Sequence, residues 1–314
     1  MKNVLLRLLL GLAAAACVFA ALTSAHPPHT DWDQIYFGAR AFLSGGDPYA
    51  TVRHDQYPSY YPATAFLVAA PFVLLPFLWA QVAWVGLGTW AFVTAMTRRG
   101  WWGLLALASS PFLNAVLLQQ WSPLLVGGTA LPWLSLAWAA KPTLGAALFV
   151  AYPSRRAAWL GLGLVVLSFA IMPDWPARWL AVARHGPHLP PVARPGGALL
   201  LLGLLRWRRS EGRLLAALSL VPQISMAYEL VPLLLIPRTA REMAAIVILS
   251  QLAFAVAVTL PGLDPTHDLA GALAKQWPVW LVGVYLPALA LALRPRESPE
   301  QAAVDGGQSR VENS

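Results

Sequence analysis

AFLVAAPFVLLPFLWAQVAWVGLGTWAFVTAM, residues 65–96, carries no charged side chain. It exceeds the ~20 apolar residues that a helix needs to cross ~30 Å of hydrocarbon. Val4–Leu22, Leu104–Ala140, Ala157–Met172, Ala244–Leu260 and Val279–Leu293 meet or approach that length. None alternates strictly, which argues against a membrane barrel. A lipid-exposed chain must satisfy its backbone within each segment, so the runs read as helices. Composition agrees: 58% of the 314 residues are hydrophobic and 11% charged. A soluble domain carries roughly a quarter charged residues.

The net charge is +8, supplied mostly by arginine. In a soluble chain that would suggest nucleic acid. Here most arginines sit in short links between apolar runs, as the positive-inside rule expects. The clusters are Lys2/Arg7, Arg98-Arg99, Arg155-Arg156, Arg206 to Arg213, Arg238/Arg241 and Arg294/Arg296. Three other polar segments, His26 to Tyr61, Asp174 to Pro195 and Pro261 to Trp277, hold all six histidines and many of the acids. Placing these outside and the arginine clusters inside predicts about ten crossings, with both termini cytoplasmic. Splitting Pro62–Thr97 and Trp121–Pro153 into two helices each gives about twelve, with Arg98-Arg99 outside. The middle segment fits least well, because it also holds Arg178, Arg184 and Arg194. The N-terminus resembles a signal peptide, with Thr23-Ser24-Ala25 after its apolar run, but reads better as an uncleaved first span. Cys17 is the single cysteine, so no disulfide forms within the chain.

The expected fold is an all-α polytopic membrane protein of about 10–12 helices. One domain covers 1–296, with a first outer loop at 24–61, and a disordered cytoplasmic tail covers 297–314. Internal repeats are not apparent, which weakens an inverted-repeat transporter.

The first outer loop contains HPPHTDWDQIYFGARAFLSGGDPY, residues 26–49. Trp32, Ile35, Tyr36, Ala39 and Phe42–Leu43 recur at helical spacing, and Gly45-Gly46 would end the helix. Asp31 or Asp33 would stand at its start, where the helix dipole favours a carboxylate. One reading makes Asp31 a simple cap. The other makes a carboxylate above the bilayer a general base for a sugar hydroxyl, worth ~10²–10⁴ in rate.

Further elements follow in order: Tyr36-Phe-Gly-Ala-Arg40, Ser44-Gly-Gly-Asp-Pro-Tyr49 and Tyr60-Tyr61-Pro62-Ala63, before an apolar run with Pro71 and Leu75-Pro76. Gln119-Gln120-Trp121, Ala140-Lys141-Pro142 and Ser225-Met-Ala-Tyr228-Glu229-Leu230 come later. This series resembles glycosyltransferase family 87 (the DUF2029 group). That family includes polyprenyl-phosphate-mannose-dependent mannosyltransferases of the GT-C superfamily. The resemblance covers roughly residues 1 to 295 and is densest from Asp31 to Pro76. It implies a GT-C-like bundle and an inverting transfer of a hexose, mannose in the first instance. The donor would be a polyprenyl-phosphate sugar and the acceptor a lipid or glycan on the extracytoplasmic face of a bacterial plasma (inner) membrane. It further implies Asp31 as the general base, with Asp33 as runner-up. Tyr61-Pro62-Ala63 replaces the family's Tyr-Pro-Pro, and Gln119 stands where the family has Gly before Gln.

A lipid-phosphate leaving group needs cationic or hydrogen-bonding partners. Arg40, Arg53, His54 and Lys141 are candidates, and Tyr61, Gln120, Tyr228 and Glu229 complete the expected substrate contacts. Each has a plainer reading. Lys141 snorkels from a helix end; Glu229 starts a helix at the interface; Tyr228 and most of the 15 tryptophans form an interfacial belt. His185, His188 and His267 read as loop histidines. His26, His29 and Asp31 form only a loose metal spacing, so neither metal nor cofactor is expected. No phosphate-binding glycine loop is present, which suits a donor already tethered to lipid. The competing classes are a transporter or lipid flippase, and a non-catalytic membrane assembly subunit.

Overall fold

The computed structural model describes residues 2–24, 30–50, 59–186, 188–224, 226–259 and 269–295. Among them all regular structure is helical, apart from one isolated antiparallel bridge between Leu189 and Gln223. Three helices are long and apolar enough to cross a membrane: Phe77–Arg99, Ala240–Thr259 and Ala274–Leu293. Arg155–Ile171 and Trp175–Ala183, bent by 101°, make a fourth if they are one span. The chain is therefore helical and of membrane type.

Unbroken helices among the described residues fall short of the ten to twelve crossings expected, and proline is the main reason. Helix α1 is Lys2–Ser24, α2 is Asp31–Leu43, α3 is Ala63–Ala69 and α4 is Phe77–Met96. Pro76 stands immediately before α4. Pro111, Pro123 and Pro142 lie in the first turns of α5 (Ser110–Leu117), α6 (Ser122–Gly127) and α7 (Pro142–Ala151). Proline suits a first turn, yet it lacks the N–H that a preceding helix would need to continue. Uniformly apolar sequence is thus cut into short helices. Tighter 3₁₀ runs connect or extend them at Ala70–Leu74, Trp101–Ala108 and Pro132–Ala139. The long passages Pro62–Thr97 and Trp121–Pro153 are each interrupted, the first at Leu75-Pro76 and the second at Leu131-Pro132 and Lys141-Pro142.

The remaining helices are α8 (Arg155–Ile171), α9 (Trp175–Ala183), α10 (Ser210–Leu220), α11 (Ala240–Thr259), α12 (Leu269–Trp280) and α13 (Leu286–Leu293). 3₁₀ runs at Gly197–Arg206 and Ala227–Leu235 flank α10. A π turn at Leu281–Tyr285 joins α12, which contains Pro278, to α13, whose first turn contains Pro287.

Helix α4 separates two ends of the molecule by about 30 Å, at ~1.5 Å per residue. At its start lies α2, whose Tyr36 hydroxyl donates to the Leu75 carbonyl (2.8 Å). Arg178 on α9 reaches Asp47 (2.8 Å) and Asp174 (2.6 Å), so the first and middle polar segments share this end. At the other end of α4, Arg7 donates to Thr97 Oγ1 (2.9 Å), and Arg99 donates to the Leu235 and Pro237 carbonyls. Arg213 reaches the carbonyls of Val150 and Ala151, Arg209 that of Arg294, and Arg238 the Glu211 carboxylate. Arg294 pairs with Glu242. The arginine clusters from separate links therefore gather at one end, Arg98-Arg99 included.

The tryptophans divide between core and surface. Trp32, Trp84 and Trp121 are buried together; Trp32 stacks on Trp84 at 4.5 Å, and Trp84 meets Trp121 edge-on at 4.6 Å. Such pairs add about 0.5–1.5 kcal/mol each beyond simple burial. This stack fastens α2 to α4 and to the start of α6. Trp79, Trp101, Trp133, Trp159 and Trp207 are exposed, as belt residues would be.

Candidate functional site

Helix α2 buries Trp32, Ile35, Tyr36, Ala39 and Phe42 against α3 and α4, while Leu43 is exposed. Gly45 closes the helix in the left-handed region (φ +75°), with Gly46 N–H on the Ala41 carbonyl and Gly45 N–H on Phe42. This is a Schellman end, in which glycine avoids the Cβ clash. At the other end the two acids have different tasks. Thr30 is the cap residue, and its N–H donates to the Asp33 carboxylate (3.2 Å). Asp33 N–H returns to the Thr30 carbonyl (3.1 Å). Asp33 thus closes the capping arrangement. Asp31, one residue into the helix, does not cap. It accepts a hydrogen bond from the Tyr61 hydroxyl (2.7 Å).

Tyr61 is brought there by Pro62, which caps α3. Burial, then the Asp31 carboxylate, push the Tyr61 phenol well above its usual range, so it stays protonated and donates. Tyr61 also leans on Trp121, at 6.2 Å between ring centroids. The turn before Trp121 repeats the Schellman pattern without glycine. Gln119 takes the left-handed conformation (φ +55°), while Gln120 N–H reaches the Ala115 carbonyl and Gln119 N–H that of Val116. A non-glycine residue there costs roughly 1–2 kcal/mol. Gln119 therefore occupies a position whose backbone favours glycine. Its side chain offers partial return: Gln119 Oε1 accepts the Thr30 hydroxyl (3.2 Å), tying the α2 cap to this turn.

Gln120 faces the cluster. Its Oε1 accepts from Lys141 Nζ (3.4 Å), and that ammonium also lies 4.7 Å from the centre of the Tyr228 ring. Lys141 sits between the Pro132–Ala139 run and α7, where backbone helices break. It is 9% exposed, and its electrostatic partners are Glu229 and Asp31. A snorkelling lysine would expose its ammonium, so this reading fails for Lys141. Tyr228 and Glu229, 1% and 3% exposed, are buried within the protein, and Glu229 stands in the first turn of the Ala227–Leu235 run.

Asp31, Tyr61, Gln120, Lys141, Tyr228 and Glu229 therefore converge in one buried polar cluster. Arg40 does not join it; the residue is exposed in the last turn of α2, at the opposite end of the helix from Asp31. His54 and Arg53 lie outside the described residues, as do His26, His29 and His267. Among the described residues no group of three His, Cys, Asp or Glu side chains is placed to hold a metal.

Several members were not singled out from sequence. His188 packs edge-on against Tyr60 (5.4 Å) and interacts electrostatically with Lys141 and Asp31. Burial first, then Lys141, lower the pKa of its imidazole below the ordinary value of about 6.5. Arg194 lies over Trp277 (5.6 Å) and donates to the Gln223 carbonyl (3.2 Å). Gln223 in turn accepts from the Tyr285 hydroxyl (2.6 Å). Glu229 is an electrostatic partner of both Arg194 and Tyr285. The available signal was Arg194 itself, a charge that suited the outer assignment poorly.

Buried polar atoms also lack hydrogen-bond partners among the described residues: Gln120 Nε2, Trp121 Nε1 and Ser122 Oγ are consecutive in the chain, and Trp32 Nε1 lies in the same aromatic stack. An unsatisfied buried group costs about 1–3 kcal/mol. Two carboxylates, a lysine, unsatisfied donors and aromatic faces together suit a polyhydroxylated ligand with an anionic group. No protein-family model, curated protein or solved structure matches the chain.

Proposed function

We propose that the chain is a membrane glycosyltransferase that moves a hexose, mannose in the first instance, from a polyprenyl-phosphate sugar to a lipid or glycan acceptor. The active face is the end carrying α2, taken as extracytoplasmic. The observation that carries the reading is the Asp31–Tyr61 hydrogen bond at the rim of a cluster that also contains Lys141 and Glu229. Asp31 is spared the capping task by Asp33. Tyr61 engages one carboxylate oxygen and leaves the second for a substrate proton. In the proposed step Asp31 takes the proton of the acceptor hydroxyl. That oxygen bonds to the anomeric carbon from the face opposite the phosphate. The anomeric carbon–oxygen bond breaks, its electron pair leaves on the phosphate, and Lys141 steadies the charge. Gln120 and Trp121 supply N–H donors, and Tyr228 and Trp121 supply flat faces for the sugar.

The test is transfer of label from polyprenyl-phosphate-mannose to membrane extract by the purified protein in lipid. Asp31→Asn lowers turnover by about 10²-fold or more, the scale of a lost general base. Wild-type turnover in that variant, with the protein inserted normally, removes Asp31 from the role.

A second reading has its own support. Lys141 and Glu229 are charged groups buried in an apolar core, the usual mark of an ion or substrate pathway in carriers. A transporter or flippase accumulates labelled lipid or sugar in proteoliposomes without forming a new glycoside. The enzyme makes the glycoside.

A further inference from the structure

At the basic end, away from the Asp31 cluster, a cleft of about 150 Å³ opens between the end of α4, the turn at Thr129, Tyr152 and Leu235–Pro237. Arg98 and Arg99 both line it. Each is tethered through Nη1 alone: Arg98 to the Thr129 carbonyl (3.1 Å), Arg99 to those of Leu235 (3.2 Å) and Pro237 (3.4 Å). The tethers satisfy one arm and fix the direction of the guanidinium planes. Both residues are exposed. Arg213, itself anchored to the Val150 and Ala151 carbonyls, and Arg99 both act electrostatically on Tyr152. Arg238 follows the cleft residue Pro237 and keeps a buried Nη2 with no partner among the described residues.

Two carboxylates stand beside this group: Glu211 pairs with Arg238 (3.1 Å), and Glu242 accepts the Arg238 backbone N–H (2.6 Å) while pairing with Arg294. Five guanidinium groups, Arg98, Arg99, Arg213, Arg238 and Arg294, against two carboxylates leave this end net positive. Arginine topology markers need only reach water, where their charge is solvated. Here two are held against backbone at a concave site, the arrangement that favours planar, multidentate recognition of an oxyanion. Trp102 and Leu235 give the same cleft an apolar wall.

We infer that this cleft is a binding site for a phosphate group, carried by an anionic phospholipid headgroup or present as free phosphate. The site is independent of the glycosyl-transfer reading and stands if that reading fails.

The purified full chain is exchanged into nanodiscs of equimolar phosphatidylglycerol and phosphatidylcholine. Lipid retained after release is then counted by native mass spectrometry. Wild type keeps phosphatidylglycerol in preference to phosphatidylcholine, and Arg98→Gln/Arg99→Gln binds it at least about tenfold more weakly, the scale of two lost charge-assisted hydrogen bonds. A parallel arm measures melting in detergent with inorganic phosphate against chloride at equal ionic strength. A phosphate-specific rise in wild type, lost in the double variant and without lipid preference, assigns the site to free phosphate. If the glutamine pair does not fold, Arg98→Lys/Arg99→Lys decides: it keeps the charge and loses the fork, so retention falls while the fold survives. Equal retention by wild type and variant, with no phosphate-specific shift, overturns the inference.

Discussion

The two ends of the molecule use charge in opposite ways. At the basic end the arginines stay near solvent and direct N–H groups to main-chain carbonyls at helix breaks, as Arg206 does to Leu293 and Arg213 to Val150 and Ala151. At the other end Lys141, Glu229 and Arg194 are drawn into the core, among donors that the chain leaves unsatisfied. The difference lies in cost. An arginine on a carbonyl at the surface closes a helix end cheaply, whereas a buried ion needs partners worth several kcal/mol. The basic end accepts that cost at the Glu211–Arg238 pair, whereas the Asp31 end accepts it at Lys141, Glu229 and Arg194.

The contrast breaks most visibly at Lys141. Lys141→Ala removes a buried cation that donates to Gln120, lies over Tyr228 and acts electrostatically on Glu229, and chemical or thermal unfolding in detergent registers a loss of about 1–3 kcal/mol, the scale of a buried group left without its partner. Lys141→Met with Glu229→Gln recovers much of it. A loss no larger than that of Arg208→Ala, on the exposed arginine link, would erase the distinction between the ends.

Asp33→Ala sharpens the division within α2. It removes the carboxylate that receives Thr30 N–H, so stability falls by about 1 kcal/mol while sugar transfer persists. If Asp33→Ala stops transfer and Asp31→Asn does not, the assignments of the two acids are reversed.

His188 gives the comparison a pH dependence. Its folded-state pKa is lowered, so the folded protein binds fewer protons there than the unfolded chain. The native state holds an advantage above about pH 6.5 that is lost as pH falls toward the folded-state value. Melting temperature measured from pH 7.5 downward drops below about pH 6.5, and the drop is smaller in His188→Gln. Identical profiles would place His188 outside the charged cluster.

The smallest change is at Gln119. Gln119→Gly relieves the left-handed strain and loses the Thr30 hydroxyl bond. The balance is a gain of about 1 kcal/mol or less. A clear loss would mean that the Thr30–Gln119 link, and not the backbone, sets this turn.

Much of this was legible in the residues. Asp31 to Gly46 announces a capped amphipathic helix with a glycine end, because caps, period and stop signals are all local. Helical, membrane-type character follows from charge-free runs such as 65–96. Neither the interruption at Pro76 nor that at Pro142 changes the composition of the runs they cut, so the number of crossings is poorly read from hydropathy. Which acid caps and which faces the cluster was not legible either. Asp31 and Asp33 are two residues apart, and a rotation of about 100° per residue decides where each points.

What the sequence determined by itself was the solvent: too little charge to coat a globule in water, and apolar runs that demand helices. Where the polar exceptions meet was decided only by tertiary structure. Tyr61, Gln120, Lys141 and Glu229 lie far apart in the chain, and each alone has an ordinary explanation as anchor, cap or snorkel. Burial removes that freedom: once α2 is stacked on α4 and the breaks at Gln120 and Lys141 face each other, these groups can satisfy one another or a ligand, and water is no longer the cheaper partner.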